Sequence, residues 1–482
     1  MHNEWNNLPS NVVEKSFRSR PRVSMMDVSS ITPTCTYGTR HIARRSKRLQ
    51  RKAEDKEFSE AMNNSPLGYF SVLPEEVMYI IFSKLPTMDL SYLTLVSKSM
   101  RDIVMAYNLT KQGINKLLST GCARNKSKKK RIDLCYCFKD LELIMFLFSV
   151  GLLVKRSTCL YPTKERLRLM ETLFRELTSS VKIESSRVNY CFGQFLSIFV
   201  RGWEEKECHR AYFAIIDHQN LALKIASVLT GKPGAKIGLE LEVRSFLRGV
   251  VLDQADSLED LAMWLHFILK PYPMVHQARV LLLLYGPLSR SRDQIDWTFM
   301  TNDDPISAPL SSAPFRDLAV AIKALHKHRD WNTDSVISVL EELTGCPSEW
   351  QTENTARLLV MCGESICVPV LASKAINGKT SQLSSVVVAL ALVTYLSSLN
   401  MSWLIHILQE ICKIVPNEHD VEALIDSVVD YFRHIIVTLP DNNQPGHMMI
   451  FEDVVEAYTS FTKELMVASI MPSYKLGLNH EE

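Results

Sequence analysis

The stretch that decides the fold is residues 66–107, which read PLGYFSVLPEEVMYIIFSKLPTMDLSYLTLVSKSMRDIVMAY. Pro74 opens a helical run, because proline is tolerated in the first turn of a helix, where its missing N–H costs nothing. Glu75 and Glu76 follow at the positive end of the helix dipole, which favours acidic side chains. Pro86 ends this helix, because the residue before a proline disfavours helical backbone angles.

Three short helices are expected in this stretch. Helical spacing places four apolar residues on one face of the first helix, about three turns long: Val77, Ile80, Ile81 and Leu85. Asp89 is a fair N-cap for a second helix, and a third is expected from about Ser99. Three helices in roughly 40 residues are too small to bury all these side chains among themselves. The module therefore packs on the rest of the chain or offers an apolar surface to a partner.

The order of these residues resembles the F-box family. The matching positions are Leu73, Pro74, Glu76, Ile80, Ile81, Leu85, Leu90, Leu93 and Val96. Ser97 and Met100 stand where the family often has cysteine and tryptophan. The resemblance implies that the matching positions bind a Skp adaptor, with Leu73 and Pro74 in direct contact. The alternative for each apolar member is internal core, and for the whole stretch it is an ordinary helical hairpin in an α domain.

Four later stretches resemble one particular member of the same family, so that the resemblance runs from 66 to about 470. The four stretches are residues 152–167, 202–210, 268–289 and 356–380. It implies a substrate-recognition subunit of an SCF-type ubiquitin ligase, a non-catalytic chain that joins an unidentified protein target to the Skp adaptor, a cullin and a RING subunit. The alternative is a non-degradative F-box scaffold that stabilises or organises a nuclear partner complex.

The bulk composition describes a globular protein of more than one unit. The chain has 482 residues, which exceeds the roughly 250–300 at which single cores stop growing. Its hydrophobic content is 46%, and its net charge of +2 gives no global attraction to nucleic acid or membrane. Eleven cysteines without a repeating framework and no apolar leader indicate reduced thiols in the nucleus, the cytoplasm or both.

The pattern along the chain predicts an all-α protein in five parts. These are a disordered basic tail (1–65), the F-box (66–110), a basic linker (111–140), a large α-helical recognition region (141–470) and a flexible tail (471–482). Exact repeats of 30–45 residues are absent. A solenoid of diverged helical hairpins stays open, because such repeats drift beyond recognition in one sequence.

Two basic runs are candidates for nuclear import signals, with a solvated charged loop as the alternative for each. The first run includes Arg44, Arg45, Lys47 and Arg48, and the second includes Lys128, Lys129, Lys130 and Arg131. No aromatic residue lies among the lysines of the second run, so base stacking is not expected there. Nucleic acid is therefore not the expected partner, and a nuclear nucleic-acid-associated protein that acts through the two basic runs stays as a third alternative.

Residues 380–405 carry no charge and are long enough to span a bilayer. They also contain serines, threonines, a glutamine and an asparagine, and no basic cluster lies near either end. A helix or helix pair buried in the α region is therefore expected, and a membrane partner is not.

The residues that carry catalytic or metal chemistry form no recognisable site. No glycine-rich phosphate loop, nucleophile elbow or HExxH motif is present. Cys135, Cys137 and His209 lack the paired spacing of a zinc site, and His326 and His328 are expected at the surface. No catalytic residue, metal or cofactor is predicted. The target-binding residues stay unassigned, with unspecific basic candidates at Lys164, Arg166, Arg168, Arg244 and Arg248.

Overall fold

The computed structural model describes residues 40–119, 140–180, 185–301, 313–415, 417–438 and 447–470. The chain divides into two units, Met1–Tyr69 and Phe70–Glu482. In the first unit the structure shows helix α1, Arg40–Asn64, where the sequence analysis expected a disordered tail. Arginine, lysine, alanine and glutamate are strong helix formers, and Lys56 and Glu60 form an i,i+4 ion pair of 3.8 Å.

The second unit begins with four short helices. They are α2 (Glu75–Lys84), α3 (Thr87–Val96), α4 (Lys98–Asn108) and α5 (Lys111–Ser119). Helix α3 starts directly after Pro86 rather than at Asp89, because a proline with φ of −59° suits the residue before a helix. Ser97 caps α4, since its side chain accepts a hydrogen bond of 3.1 Å from the Met100 amide.

Helix α5 replaces the first part of the linker that the sequence analysis expected over 111–140. Thr110 Oγ1 accepts a 3.0 Å hydrogen bond from the Gly113 amide and so caps the helix. Ile114 and Leu117 are buried, because α5 packs on α2, α4 and the helical region. The second basic run, Lys128–Arg131, lies outside the described residues.

The helical region follows in sixteen helices over the described residues. They are α6 (Asp140–Thr158), α7 (Thr163–Ser180), α8 (Ser185–Val200), α9 (Glu205–His218), α10 (Leu221–Thr230), α11 (Ile237–Val250), α12 (Leu258–Leu269), α13 (Met274–Tyr285), α14 (Ala313–Lys327), α15 (Thr333–Thr344), α16 (Thr352–Cys362), α17 (Glu364–Ile376), α18 (Thr380–Leu396), α19 (Met401–Ile414), α20 (Glu418–Thr438) and α21 (His447–Ile470). No strand is assigned in the described residues, where Leu288 and Ile295 form a single isolated bridge.

These helices stack in two layers. One layer is the series α6, α8, α11, α13, α15, α17, α19 and α21, in which each helix packs on the next. The second layer is α7, α9, α12, α14, α16, α18 and α20, packed in the same stepwise way. Helix α10 packs between α9, α11 and α13. Stepwise packing of helices on their next-but-one neighbours is the architecture of an α-solenoid.

The four N-terminal helices extend this stack. Helix α3 packs on α6, the first helix of one layer, and α5 packs on α7, the first helix of the other. The small N-terminal module is therefore built onto the end of the solenoid, and part of its apolar surface is covered there.

The uncharged stretch 380–405 is a helix pair, as expected. Helix α18 buries apolar side chains on several sides, because α16, α17, α19, α20 and α21 all pack on it. Among the helices of the described ranges, none combines the length and the apolar character that a membrane crossing requires.

Candidate partner-binding face

Helix α2 is apolar on two sides. Met78 and Phe82 are buried. The centre of the Phe82 ring lies 5.7 Å from the centre of the Tyr107 ring on α4, in an edge-to-face arrangement. Val77 and Ile80 lie on another side of the helix and are exposed, Ile80 by 57%. The sequence analysis placed Val77 and Ile80 on the apolar face of this helix. In the structure the interior contacts of α2 are made by Met78 and Phe82 instead.

Helix α3 shows the same division. Leu90, Ser91 and Thr94 are buried, because this side of α3 packs on α4 and α6. Tyr92, Leu95 and Val96 are exposed, Val96 by 71%.

We give the name F-box patch to the exposed large apolar side chains of these two helices together with Leu73, which lies just before α2. Its members are Leu73, Val77, Ile80, Tyr92, Leu95 and Val96. Single exposed apolar residues are normal on a protein surface, but concentrations of large ones mark binding sites. The patch is therefore a candidate protein interface.

The residues that the F-box resemblance singled out fall into three groups. Exposed positions are Leu73, Pro74, Glu76, Ile80 and Val96, and half-buried ones are Ile81, Leu85 and Leu93. Leu90 has 0% exposure and packs the interior, so the alternative of internal core applies to it. The sequence analysis missed Tyr92 and Leu95 as exposed members, although their spacing of three residues places them on one side of α3.

A half-buried lysine holds the C-terminal end of α2. The ammonium of Lys116 on α5 donates hydrogen bonds to the carbonyl oxygens of Phe82 and Leu85. These are carbonyls at the C-terminus of α2, where the helix itself supplies no donor. Burial lowers the pKa of Lys116 to about 8.

A second contact ties α4 to the helical region. The hydroxyl of Tyr161, just after α6, donates a 2.8 Å hydrogen bond to Asp102 Oδ1. Burial, followed by this hydrogen bond, raises the pKa of Tyr161 to about 12, so the phenol keeps its proton at neutral pH. The F-box helices are thus bonded to the solenoid as well as packed against it.

Three of the five basic candidates in the helical region have structural contacts. Arg244 Nη1 donates to the carbonyl oxygens of Leu283 and Gly286 at the end of α13, over 3.0 and 2.8 Å. Arg248 forms ion pairs with two aspartates, at 2.9 Å each. The Arg166 guanidinium lies over the Trp203 ring, 3.9 Å from its centre. The exposed candidates are Lys164 and Arg168.

Within the described ranges, His266, His328 and Asp330 are close enough together to be considered as metal ligands. The two imidazoles stack with their centres 4.5 Å apart, so the half-buried His328 is not the simple surface residue that was expected. His266 Nδ1 accepts from Trp331 Nε1 at 3.1 Å, and His328 Nδ1 accepts from the Asp330 amide at 3.2 Å. Nδ1 of each imidazole is thus engaged as a hydrogen-bond acceptor.

The comparisons with known proteins agree with this architecture. The family model for the F-box domain matches residues 70–112, close to the predicted 66–110. The model described as FBXO47, ARM repeats matches residues 217–470, which confirms the solenoid. The stacking of α6 to α9 shows that the solenoid begins before this match.

Two similar relatives extend the comparison over most of the chain. F-box only protein 47 of Mus musculus is 34% identical over 418 residues, which cover 83% of this chain and 90% of the relative. F-box only protein 47 of Homo sapiens is also 34% identical over 418 residues, covering 83% of this chain and 89% of the relative. F-box proteins are generally non-catalytic adaptors, and no enzyme family is indicated by these matches. The chain therefore belongs to the F-box proteins and, among them, to the family of F-box only protein 47.

Proposed function

We propose that this chain is the substrate-recognition subunit of an SCF-type ubiquitin ligase. The F-box patch binds a Skp-type adaptor, which bridges to a cullin and a RING subunit, and the solenoid binds a target protein. The observation that carries the proposal is the exposure of six large apolar side chains, five on α2 and α3 and Leu73 just before α2, in a module matched by the F-box model.

The form of the patch supports binding of a protein partner. Five of its six side chains come from two helices whose other sides pack in the interior, so little order has to be gained on binding. Tyr92 adds an aromatic anchor, a residue type enriched at interface hot spots. The chain would contribute to ubiquitin transfer by raising the local concentration of a target lysine near the charged conjugating enzyme.

The test is co-purification of the full chain with the Skp adaptor and a cullin. The Ile80→Asp, Val96→Asp double variant places two charges in the patch and should lose both partners, as should the Leu73→Ala, Pro74→Ala double variant. Leu223→Asp is the matched control, because Leu223 on α10 is as exposed as Val96 and lies outside the patch. It should retain both partners, and circular dichroism should show the same helix content for all variants.

The same experiment separates the ligase from a non-degradative scaffold. A wild-type chain that retains the adaptor without the cullin, and whose partner is not turned over, would be a scaffold. A wild-type chain that retains neither protein would contradict the proposal.

We also propose that part of the protein acts in the nucleus. The first basic run, Arg44, Arg45, Lys47 and Arg48, belongs to helix α1, and Lys47 and Arg48 are exposed. Replacing these four residues by alanine in a fluorescent fusion should move the protein toward the cytoplasm. An unchanged distribution would argue against import through this run.

A further inference from the structure

Helix α1 gathers basic residues on one of its sides. Residues 40–52, its first part, contain seven basic residues and no aspartate or glutamate. At about 100° per residue, all seven positions fall within an arc of about 160° around the helix axis. Ile42, Leu49 and Ala53 lie on the opposite side. We term the seven positions the basic face of α1, namely Arg40, Arg44, Arg45, Lys47, Arg48, Arg51 and Lys52.

The charges of the basic face are open to solvent. Every residue from 47 to 58 is exposed, Leu49 by 64%. The ion pair within α1 is that of Lys56 with Glu60, outside the basic face. Four members of the face form no ion pair with another residue that the structure describes: Lys47, Arg48, Arg51 and Lys52. A negatively charged ligand would therefore not have to displace a carboxylate from them.

The position of these charges is unfavourable for the helix itself. The N-terminal end of a helix is the positive end of its dipole, where acidic side chains stabilise the helix and basic ones destabilise it. Helix α1 has no acidic residue in its first turn and no basic residue in its last. Like charges four residues apart, such as Arg44 with Arg48, also repel each other. A polyanion on the basic face would offset both costs.

The side of α1 opposite the basic face disfavours a lipid surface as this polyanion. A helix that lies in a membrane interface buries a large apolar face, often with tryptophan, phenylalanine or leucine. Here that side has two large apolar residues, Ile42 and Leu49, beside the polar Ser46 and Gln50. Binding in an apolar groove of a protein likewise uses several apolar anchors. The charges of α1 therefore have to supply most of the binding.

The dimensions of α1 match the major groove of a DNA duplex. The basic part is about 20 Å long, and a helix with its side chains is about 10–12 Å across. The major groove of B-DNA is about 12 Å wide, whereas that of duplex RNA is too deep and narrow to admit a helix. Cations spread over about 160° can reach the phosphates on the groove walls. DNA carries a phosphate charge about every 1.7 Å of its axis, so several cations can engage at once.

We propose that helix α1 binds double-stranded DNA through the phosphate backbone, without preference for base sequence. Phosphate contacts need no base stacking, so the lack of aromatic residues beside the lysines does not oppose them. The inference goes beyond the proposed ligase function, since all seven members of the basic face lie in the unit Met1–Tyr69, before the F-box. It is also separate from nuclear import, because it is measured on the purified chain.

The test is fluorescence anisotropy of a labelled DNA duplex of about 20 base pairs with the purified full chain, between about 50 and 200 mM salt. The logarithm of the binding constant should fall with the logarithm of the salt concentration with a slope of about −4 to −6, because each phosphate contact contributes about −0.9. Two duplexes of unrelated sequence should bind equally. Hydrogen exchange of the α1 amides should slow when DNA is bound, because the ligand offsets the repulsion within the helix.

Two variants test the basic face and the helix separately. Arg51→Ala with Lys52→Ala should weaken binding about threefold to tenfold, the loss of two exposed ion pairs, and make the salt slope shallower by about 2. Lys323→Ala with Lys327→Ala is the matched control, because it removes two exposed cations four residues apart on α14 and should bind as the wild type does. Gln50→Pro keeps every charge, interrupts α1 and should also weaken binding.

Four results would overturn the proposal. They are equal losses of binding in the α1 and α14 double variants, unchanged affinity in Gln50→Pro, tighter binding of an RNA duplex than of DNA, or tighter binding of phosphatidylserine vesicles than of DNA. Failure of the import proposal is distinguishable from these results, because the Arg51→Ala, Lys52→Ala variant keeps all four import candidates. Adaptor binding is measured on the same preparations and tests the ligase function alone.

Discussion

The guanidinium of Arg156 on α6 donates a 2.8 Å hydrogen bond to Ser91 Oγ on α3, a side chain with no exposed surface. The same guanidinium carbon lies 5.5 Å from the centre of the Tyr92 ring, which belongs to the F-box patch. One arginine of the solenoid thus contacts both the buried and the exposed side of α3. The orientation of the patch therefore depends on α6.

Arg156→Ala should loosen α3 by removing both contacts. A hydrogen bond from a charged donor contributes about 1.5–3 kcal/mol when it is buried, and the partial exposure here reduces this to about 1 kcal/mol of unfolding free energy. Hydrogen exchange of the α3 amides should become faster in the variant. Arg433→Ala is the control, because Arg433 forms an exposed pair with Asp430 on α20. Equal exchange in both variants would contradict a role for Arg156 at this junction.

Leu90→Ala and Ile80→Ala should separate the core of the F-box from its exposed face. Leu90 is fully buried, so its truncation should cost about 2–5 kcal/mol of unfolding free energy. Ile80 is mostly exposed, so its truncation should change stability by less than about 0.5 kcal/mol. Urea unfolding of both variants measures the difference. A large loss of stability in Ile80→Ala would show that this side of α2 belongs to the interior.

Arg279→Met should destabilise the contact between α10 and α13. The buried Arg279 guanidinium donates to the carbonyl oxygens of Val228 and Leu229, over 3.0 and 2.9 Å, at the end of α10. Methionine fills similar space without donors, and the unsatisfied carbonyls should cost about 2–3 kcal/mol in urea unfolding. Arg316→Met, at an exposed position of α14, should stay close to wild type. Similar midpoints for the two variants would argue against this capping role.

Gly193→Ala should disrupt the close contact between α8 and α11. A Cβ atom at Gly193 would lie 2.3 Å from the Gly249 carbonyl oxygen and 2.8 Å from Gln254 Cγ. The overlap forces the helices apart and should cost about 1–3 kcal/mol. Gly238→Ala is an opposite control, because the site has nothing within 4 Å and alanine favours the helix. Thermal unfolding should therefore shift downward for the first variant and upward or not at all for the second.

Stability should fall as the pH is lowered through the range of His266. Burial and the neighbouring His328 lower the pKa of His266 below its ordinary value of about 6.5. Lys270 also lowers this pKa, whereas Asp330 and Glu205 raise it by less. The unfolded chain then binds the proton more readily than the folded chain, so stability is full above about pH 6.5 and is lost below it. His266→Gln should flatten the fall in melting temperature between pH 7.5 and 5.5, relative to the exposed His419→Gln. Parallel curves for the two variants would rule out this contribution.

The F-box and the individual helices could be predicted because their signals are local. Pro74 and Pro86 mark the start and end of α2. Ser257 caps α12 by accepting a hydrogen bond of 3.1 Å from the Asp260 amide. The buried Leu424, Val428 and Phe432 recur every four residues in α20. Helix α5 was missed because its capping residue, Thr110, was assigned to the end of the F-box.

The roles of the F-box residues could not be separated in the same way. Leu90 and Ile80 are both apolar residues at helical spacing, and α6, which covers Leu90, lies some 50 residues further along the chain. Layered stacking likewise depends on contacts between helices that share no repeated sequence.

The packing of α3 on α6 and of α5 on α7 limits how this protein can be truncated. Cutting the chain before α6 would uncover apolar surface at the end of the stack, where Leu147, Val150 and Leu153 are buried. A chain without its F-box would therefore lose solubility, and in a cell that defect would be confused with a loss of adaptor binding. Substitution within the patch tests adaptor binding without this side effect, because this F-box is not a removable module.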